Sequence, residues 1–144
     1  MKLLLTAKGH PNITGNHKNS IEFSLENDIT TRADCVLGVS SVVNKDALKL
    51  LKEKVKIRLV LEAANQKEEL TAYGSPQITA TKGFIIRKSN IIDDKTAAIY
   101  ADKSAADISR EFIDKIKNDV KITVKVEVIG KYEKLDFYEG IQYI

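Results

Sequence analysis

Polar and apolar positions alternate from the first residues of the chain. KLLLTAKG sets Leu3, Leu5 and Ala7 against Lys2, Leu4 and Thr6, the period-two pattern of a strand with one wetter face. SIEFSLE puts Ile21, Phe23 and Leu25 on one side and Glu22, Ser24 and Glu26 on the other, as in a half-buried strand. CVLGVS is a short apolar run that predicts a buried strand. The period then changes. In NKDALKLLKEK, Ala47, Leu48 and Leu51 form a helical stripe, and the Asn44 side chain can accept from the free amides of the first turn. VKIRLVLE returns to period two, with Ile57, Leu59 and Leu61 inward.

The same order of elements comes twice. LTAKGHPNIT (5–14) and LTAYGSPQIT (70–79) match at Leu, Thr, Ala, Gly, Pro, Ile and Thr, an offset of 65 residues. VKIRLVLE (55–62) and VKITVKVE (120–127) meet again at that offset after a variable middle. This pattern predicts a tandem duplication forming one pseudo-twofold domain over 1–144, with repeats of about 1–65 and 66–129 and a C-terminal extension, 130–144. The second copy runs ELTAYGS, GFIIRKS, TAAIYAD, a helix from about Ser104 to Lys117, and VKITVKVEV. In that helix Ala105, Ile108, Phe112 and Ile116 share a face, and Ser104 with Asp107 resembles a capping box. Each unit is β-β-β-α-β. The expected class is α+β, a large mixed sheet covered by two helices.

Composition narrows the setting. The 144 residues include one cysteine, Cys35, which cannot form an internal disulfide and fits a reducing, cytoplasmic location. Lys8 ends the opening apolar run too early for a signal peptide, and no later run is long enough to span a bilayer. The 23 basic and 20 acidic residues are interleaved, giving a net charge of +3, a mild bias that leaves nucleic acid open as a partner. The last stretch carries Tyr132, Phe137, Tyr138 and Tyr143. It is expected to form an extra edge strand or, through its aromatics, a homo-oligomer contact.

A duplicated scaffold makes unmatched polar residues informative. His10 falls opposite Ser75 and His17 opposite Lys82, while Asp34 and Cys35 fall opposite Thr96 and Ala97 after a three-residue shift. RKS (87–89) and DK (102–103) have no convincing counterparts. His10, His17 and Asp34 are the candidate ligands of a catalytic metal, although no standard zinc spacing surrounds them. Cys35 with a histidine is the candidate nucleophile, against which stands its apolar strand setting beside Leu37 and Val39. Arg87, Lys88, Asp102, Lys103 and Ser104 are the candidate anion-binding set, because ADKSAAD leads into a helix whose first amides and dipole favour a phosphate or carboxylate. No Walker loop, dinucleotide fingerprint or nucleophile elbow is present, and no cofactor is assigned.

GHPNI, HK (17–18), Glu22–Phe23, TTRADCVLGV, IIRKS and YADKSAADISRE together resemble an archaeal family of uncharacterised proteins, domain of unknown function 371, up to about Ile129. The resemblance supplies no activity. It implies that His10, His17, Asp34, Cys35, Arg87, Lys88, Asp102 and Lys103 sit at the family's motif positions. Ala33 stands where that pattern has glycine, which bears on the tightness of the turn. Lys95 stands where it has arginine, which weakens any bidentate anion contact. The expected function is binding, or acting on, a small anionic ligand, phosphate-bearing ones included, at a site shared by the two repeats. The alternatives are a metal-assisted hydrolase using His10, His17 and Asp34, and an RNA-binding or assembly module without catalysis. The sequence leaves open whether the protein is an enzyme.

Overall fold

The alternation of VKIRLVLE and VKITVKVEV builds the two longest strands, which pair antiparallel from Val55–Lys131 to Ala63–Ile122. The computed structural model describes residues 1–133 and the backbone of Gln142–Tyr143. Its strands are β1 (Lys2–Lys8), β2 (Ser20–Phe23), β3 (Val36–Val43), β4 (Val55–Ala63), β5 (Gln66–Tyr73), β6 (Ile85–Arg87), β7 (Ile91–Ile92), β8 (Thr96–Ala98), β9 (Lys121–Lys131) and β10 (Gln142–Tyr143). Helix α1 (Lys45–Leu48) continues into a 3-10 turn, Lys49–Lys52, and helix α2 (Arg110–Ile116) follows a 3-10 turn, Ala105–Asp107. The fold is α+β, with a mixed eight-stranded sheet ordered β5-β4-β9-β1-β3-β2-β6-β8 and two short helices. The β2–β3 and β6–β8 pairs are parallel and the other pairs antiparallel.

The sheet curls round to meet itself. β5 and β8 stand at its two ends, yet Tyr73 and Ile99 exchange both backbone hydrogen bonds, at 2.8 and 2.9 Å, and the Asp102 amide donates to the Thr71 carbonyl. A closed sheet keeps one face entirely inside. Alternate residues fill it, including Leu5, Ile21, Phe23, Leu37, Ile57, Leu59, Leu61, Ile86, Ile122, Val124 and Val126. Phe23 and Phe84 meet edge-to-face at its centre.

Several hydrogen bonds occur twice at the 65-residue offset. Gly9 N–H donates to the Val120 carbonyl as Gly74 donates to Val55, and His10 donates to Ile116 as Ser75 donates to Leu51. His17 N–H also donates to the Asp34 carbonyl and Lys82 to that of Asp94, with the donors 65 residues apart and the acceptors 60. Ser40 and Tyr100 both adopt left-handed backbone, with φ of 52° and 51°.

Local departures from the pattern have identifiable causes. A register shift between Leu3 and Leu5 turns both Leu4 and Leu5 into the core and leaves Leu3 41% exposed. β2 stops at Phe23, so Leu25 lies outside it at 49% exposure and Ser24 is buried instead. The expected helix over 104–117 is broken at Ile108, whose backbone is extended. The hydroxyl of Ser109 restarts it by accepting from the Phe112 amide. Ala105, Ile108, Phe112 and Ile116 are nevertheless all buried. Asn44 caps α1 by accepting from the amides of Asp46 and Ala47.

Of the tail, Gln142–Tyr143 form a short strand, in a two-stranded sheet apart from the large one. β10 pairs parallel with β7, Gln142 beside Ile91 and Tyr143 beside Ile92. The Tyr132 hydroxyl donates to the Gly74 carbonyl at 2.6 Å, and its ring packs on a small second cluster with Ile78, Ile92, Ile99 and Tyr100. Phe137 and Tyr138 lie outside the described residues.

Candidate functional site

The two histidines lie on the one connection between β1 and β2 and separate at their side chains. His10 Nδ1 accepts from the Asn12 amide at 3.0 Å, which places the proton on Nε2, and Nε2–H donates to Asp28 at 2.8 Å. Both ring nitrogens are therefore committed. In the other half, the Ser75 hydroxyl accepts from the Gln77 amide in the same way. Both contacts join residues two apart and act as local turn staples.

His17 is differently placed. Its Nδ1 accepts from the amides of Asn19 and Ser20 and from the Ser20 hydroxyl, at 3.1–3.2 Å. Nε2 therefore carries the proton and is left as a donor. The His17 backbone lies in a seam between the halves of the chain: its amide donates to Asp34 and its carbonyl accepts from Ala106. Arg110 ties the same seam by donating to the carbonyls of Gly15, Ala105 and Ile108 at 2.8–3.0 Å.

The residues expected to bind an anion at the start of the second helix are held by one another. The Ser104 amide and hydroxyl both donate to the Asp107 carboxylate, the Ala106 amide goes to His17, and the Asp107 amide goes to Ser104. Lys88 reaches Asp107 at 2.7 Å, and Lys103 reaches Glu68 at 3.3 Å. The Asp107 carboxyl is drawn down to about 2 by the Lys88 ammonium first, then by the Ser104 donors. Asp102 accepts from the amide and hydroxyl of Thr71, which pins the closure of the sheet. Asp102, Lys103 and Ser104 thus join β5 to the second helix region, and of the amides expected to be free, those of Ser104 and Ala106 are bonded within the protein.

A polar face assembles instead on the outside of the β2–β6 pair. Ile21, Phe23 and Ile86 point into the core, so Ser20, Glu22 and Arg87 lie on the opposite face of the pair, where Ser20 is buried and Glu22 and Arg87 are half-buried. Ser20 stands directly opposite Arg87, and Glu22 opposite Ile85. The Arg87 guanidinium, 20% exposed, donates through Nε to Thr96 at 3.1 Å and through an Nη to Asp93 at 2.8 Å. Burial works against the Asp93 carboxylate, but the Lys95 amide, the Thr96 hydroxyl and Arg87 outweigh it and hold its pKa low. Of the residues on and around this face, His17, Cys35 and Arg87 are marked in the sequence as candidates, and Ser20, Glu22, Asp93 and Thr96 are not. The outward parity of Ser20 and Glu22 was legible. Their position beside Arg87, more than sixty residues away in the chain, was not.

Cys35 borders this face and is a poor nucleophile. Its thiol, pushed up to about 11 by burial and then by Glu22 and Asp34, donates weakly to Glu22 at 3.6 Å. Its side-chain partner is a carboxylate, which disfavours the thiolate, in line with the inert setting that its apolar strand neighbours suggest. Among the described residues, no group of three or more His, Cys, Asp and Glu side chains is arranged to hold a metal ion. The set His10, His17 and Asp34 does not converge, since His10 is held by Asp28.

A family model described as Domain of unknown function (DUF371) matches residues 5–129. The chain belongs to that family. An uncharacterized protein of Methanocaldococcus jannaschii is 31% identical over 135 residues, covering 89% of this chain and 100% of that protein. The DUF371 match spans every residue of the polar face, from His17 to Lys88 and Thr96, and ends before the aromatic tail. No helix among the described residues is long and apolar enough to cross a membrane.

Proposed function

We propose that this DUF371 protein binds a small anionic ligand on the outer face of the β2–β6 pair, where the two halves of the chain meet. One observation carries the reading. Ser20 both faces Arg87 across the strands and, through its hydroxyl, helps to fix His17 as an Nε2–H donor. Arg87 and His17, from different halves, thus supply donors to one surface, while the neighbouring Lys88 is held by Asp107. A planar guanidinium and an imidazole N–H suit a carboxylate or phosphate. The test is an NMR titration of the full chain with inorganic phosphate and with acetate. The expected shifts centre on the amides of Asn19, Ser20 and Lys88 and are lost in Arg87→Met. Shifts centred elsewhere, or unchanged by that substitution, overturn the reading.

We further infer that the two halves arose by duplication, an inference supported by the hydrogen bonds repeated at the 65-residue offset and by the paired left-handed Ser40 and Tyr100. Superposition of residues 5–62 on 70–127 tests it, and failure of the strand order to coincide overturns it. A reducing cytoplasmic setting accords with the free Cys35.

A further inference from the structure

We infer, building on the seam reading above, that the ligand is zwitterionic: it carries an ammonium beside its anionic group, and Glu22 receives that ammonium. Glu22 is half-buried on the outer face, fixed there because Ile21 and Phe23 on either side of it are fully buried. It faces Ile85, one step along the same face from Arg87, so the two side chains are diagonal neighbours with Cβ atoms about 7 Å apart.

Charge decides what that diagonal accepts. Arg87 is matched by Asp93 and Lys88 by Asp107. Glu22 and Asp34 have no Lys, Arg or His partner within 4.0 Å among the described residues. The only side-chain donor to Glu22 there is the weak Cys35 thiol at 3.6 Å. An ionised carboxylate has about four acceptor sites, so most of the capacity of Glu22 remains unused. A ligand with negative charge alone meets the Arg87 donors and is repelled by Glu22 and Asp34. A ligand that carries an ammonium as well as its anionic group has a partner at each end of the diagonal. Glu22 is thereby a specificity-determining residue, and amino acids, aminophosphonates and aminoalkyl phosphates form the chemical class.

Two probes that differ only in the ammonium separate the possibilities: O-phosphoethanolamine and ethyl phosphate, titrated calorimetrically into the full chain at low salt. The wild type is expected to bind O-phosphoethanolamine about fivefold or more tightly than ethyl phosphate, the scale of one partly shielded ion pair. Glu22→Gln is expected to erase the preference, weakening the first probe and strengthening the second. Arg87→Lys and Arg87→Met are expected to weaken both, with circular dichroism reporting that each variant is folded. Equal binding of the probes by wild type, or a preference that survives Glu22→Gln, overturns the zwitterion inference and leaves the seam site standing. Binding of both probes that is indifferent to the Arg87 variants overturns the seam site itself. No binding of either probe at millimolar concentration overturns both.

Discussion

Asp107 and Cys35 are single residues whose surroundings set their chemistry. The folded pKa of Asp107, about 2, lies below the ordinary carboxyl value of about 3.9. Its bonds to Lys88 and Ser104 therefore add stability above about pH 4, and that contribution is lost as pH falls toward 2. Because this carboxylate is 43% exposed, solvent screens much of the gain. Chemical denaturation at pH 6 and at pH 3 is expected to reveal a loss that is smaller in Asp107→Asn. Cys35 moves the other way. A thiol raised to about 11 from 9.0 has about 100-fold less thiolate near neutral pH. Alkylation at pH 8 is expected to be slower by about that factor in the native protein than in urea, and faster in Glu22→Gln than in wild type.

Elements are held in place by a few contacts that cross between them. Gly9 and Gly74 lie against carbonyl oxygens of the chain that follows each helix; a Cβ on Gly74 would stand 2.6 Å from the Leu51 oxygen. Gly74→Ala is expected to cost more than the usual 0.5–3 kcal/mol of a point substitution, roughly 3 kcal/mol or above, because backbone cannot move aside as a side chain can. Urea unfolding measures it. Arg110 is the second such contact. It joins the 14–15 turn to the stretch 105–108 through backbone carbonyls. Arg110→Met leaves those carbonyls short of donors and is expected to cost about 2 kcal/mol, seen as a lower denaturation midpoint. A buried Ser104 with its Asp107 partner was readable as a capping box from spacing alone, since partners three residues apart are set by local geometry. The break at Ile108 was not readable, because that residue satisfies the apolar stripe equally well whether the helix runs through it or stops there.

Across the whole molecule, closure is made by strands far apart in the chain. β4 pairs with β9, β2 with β6 and Tyr73 with Ile99, so the closed sheet exists only once its two halves have met. Such long-range pairing predicts refolding on the order of milliseconds to seconds, slower than a helical bundle of this length. Stopped-flow refolding checks it, and a microsecond phase with full amplitude contradicts it. Substitutions on either side of the β4–β9 pair, such as Leu59→Ala or Val126→Ala, are expected to slow folding if that pair forms in the transition state.

The sequence by itself determined the alternating strands of β4 and β9, both helical stripes, the Asn44 and Ser104 caps and the α+β class. Each of these rests on interactions within a few residues or on burial of one face, and both leave a period in the chain. It also marked His17, Asp34, Cys35, Arg87 and Lys88 as polar residues without matching partners. Only the tertiary structure decided what they touch. His10 turned to Asp28 and left the metal set, Lys103 turned to Glu68, and Cys35 met a carboxylate in place of a histidine. Glu22 came beside Arg87 through the register of β2 on β6. Register between strands that are distant in sequence is set by packing of the whole closed core, and a one-residue slip would turn every one of these side chains to the other face.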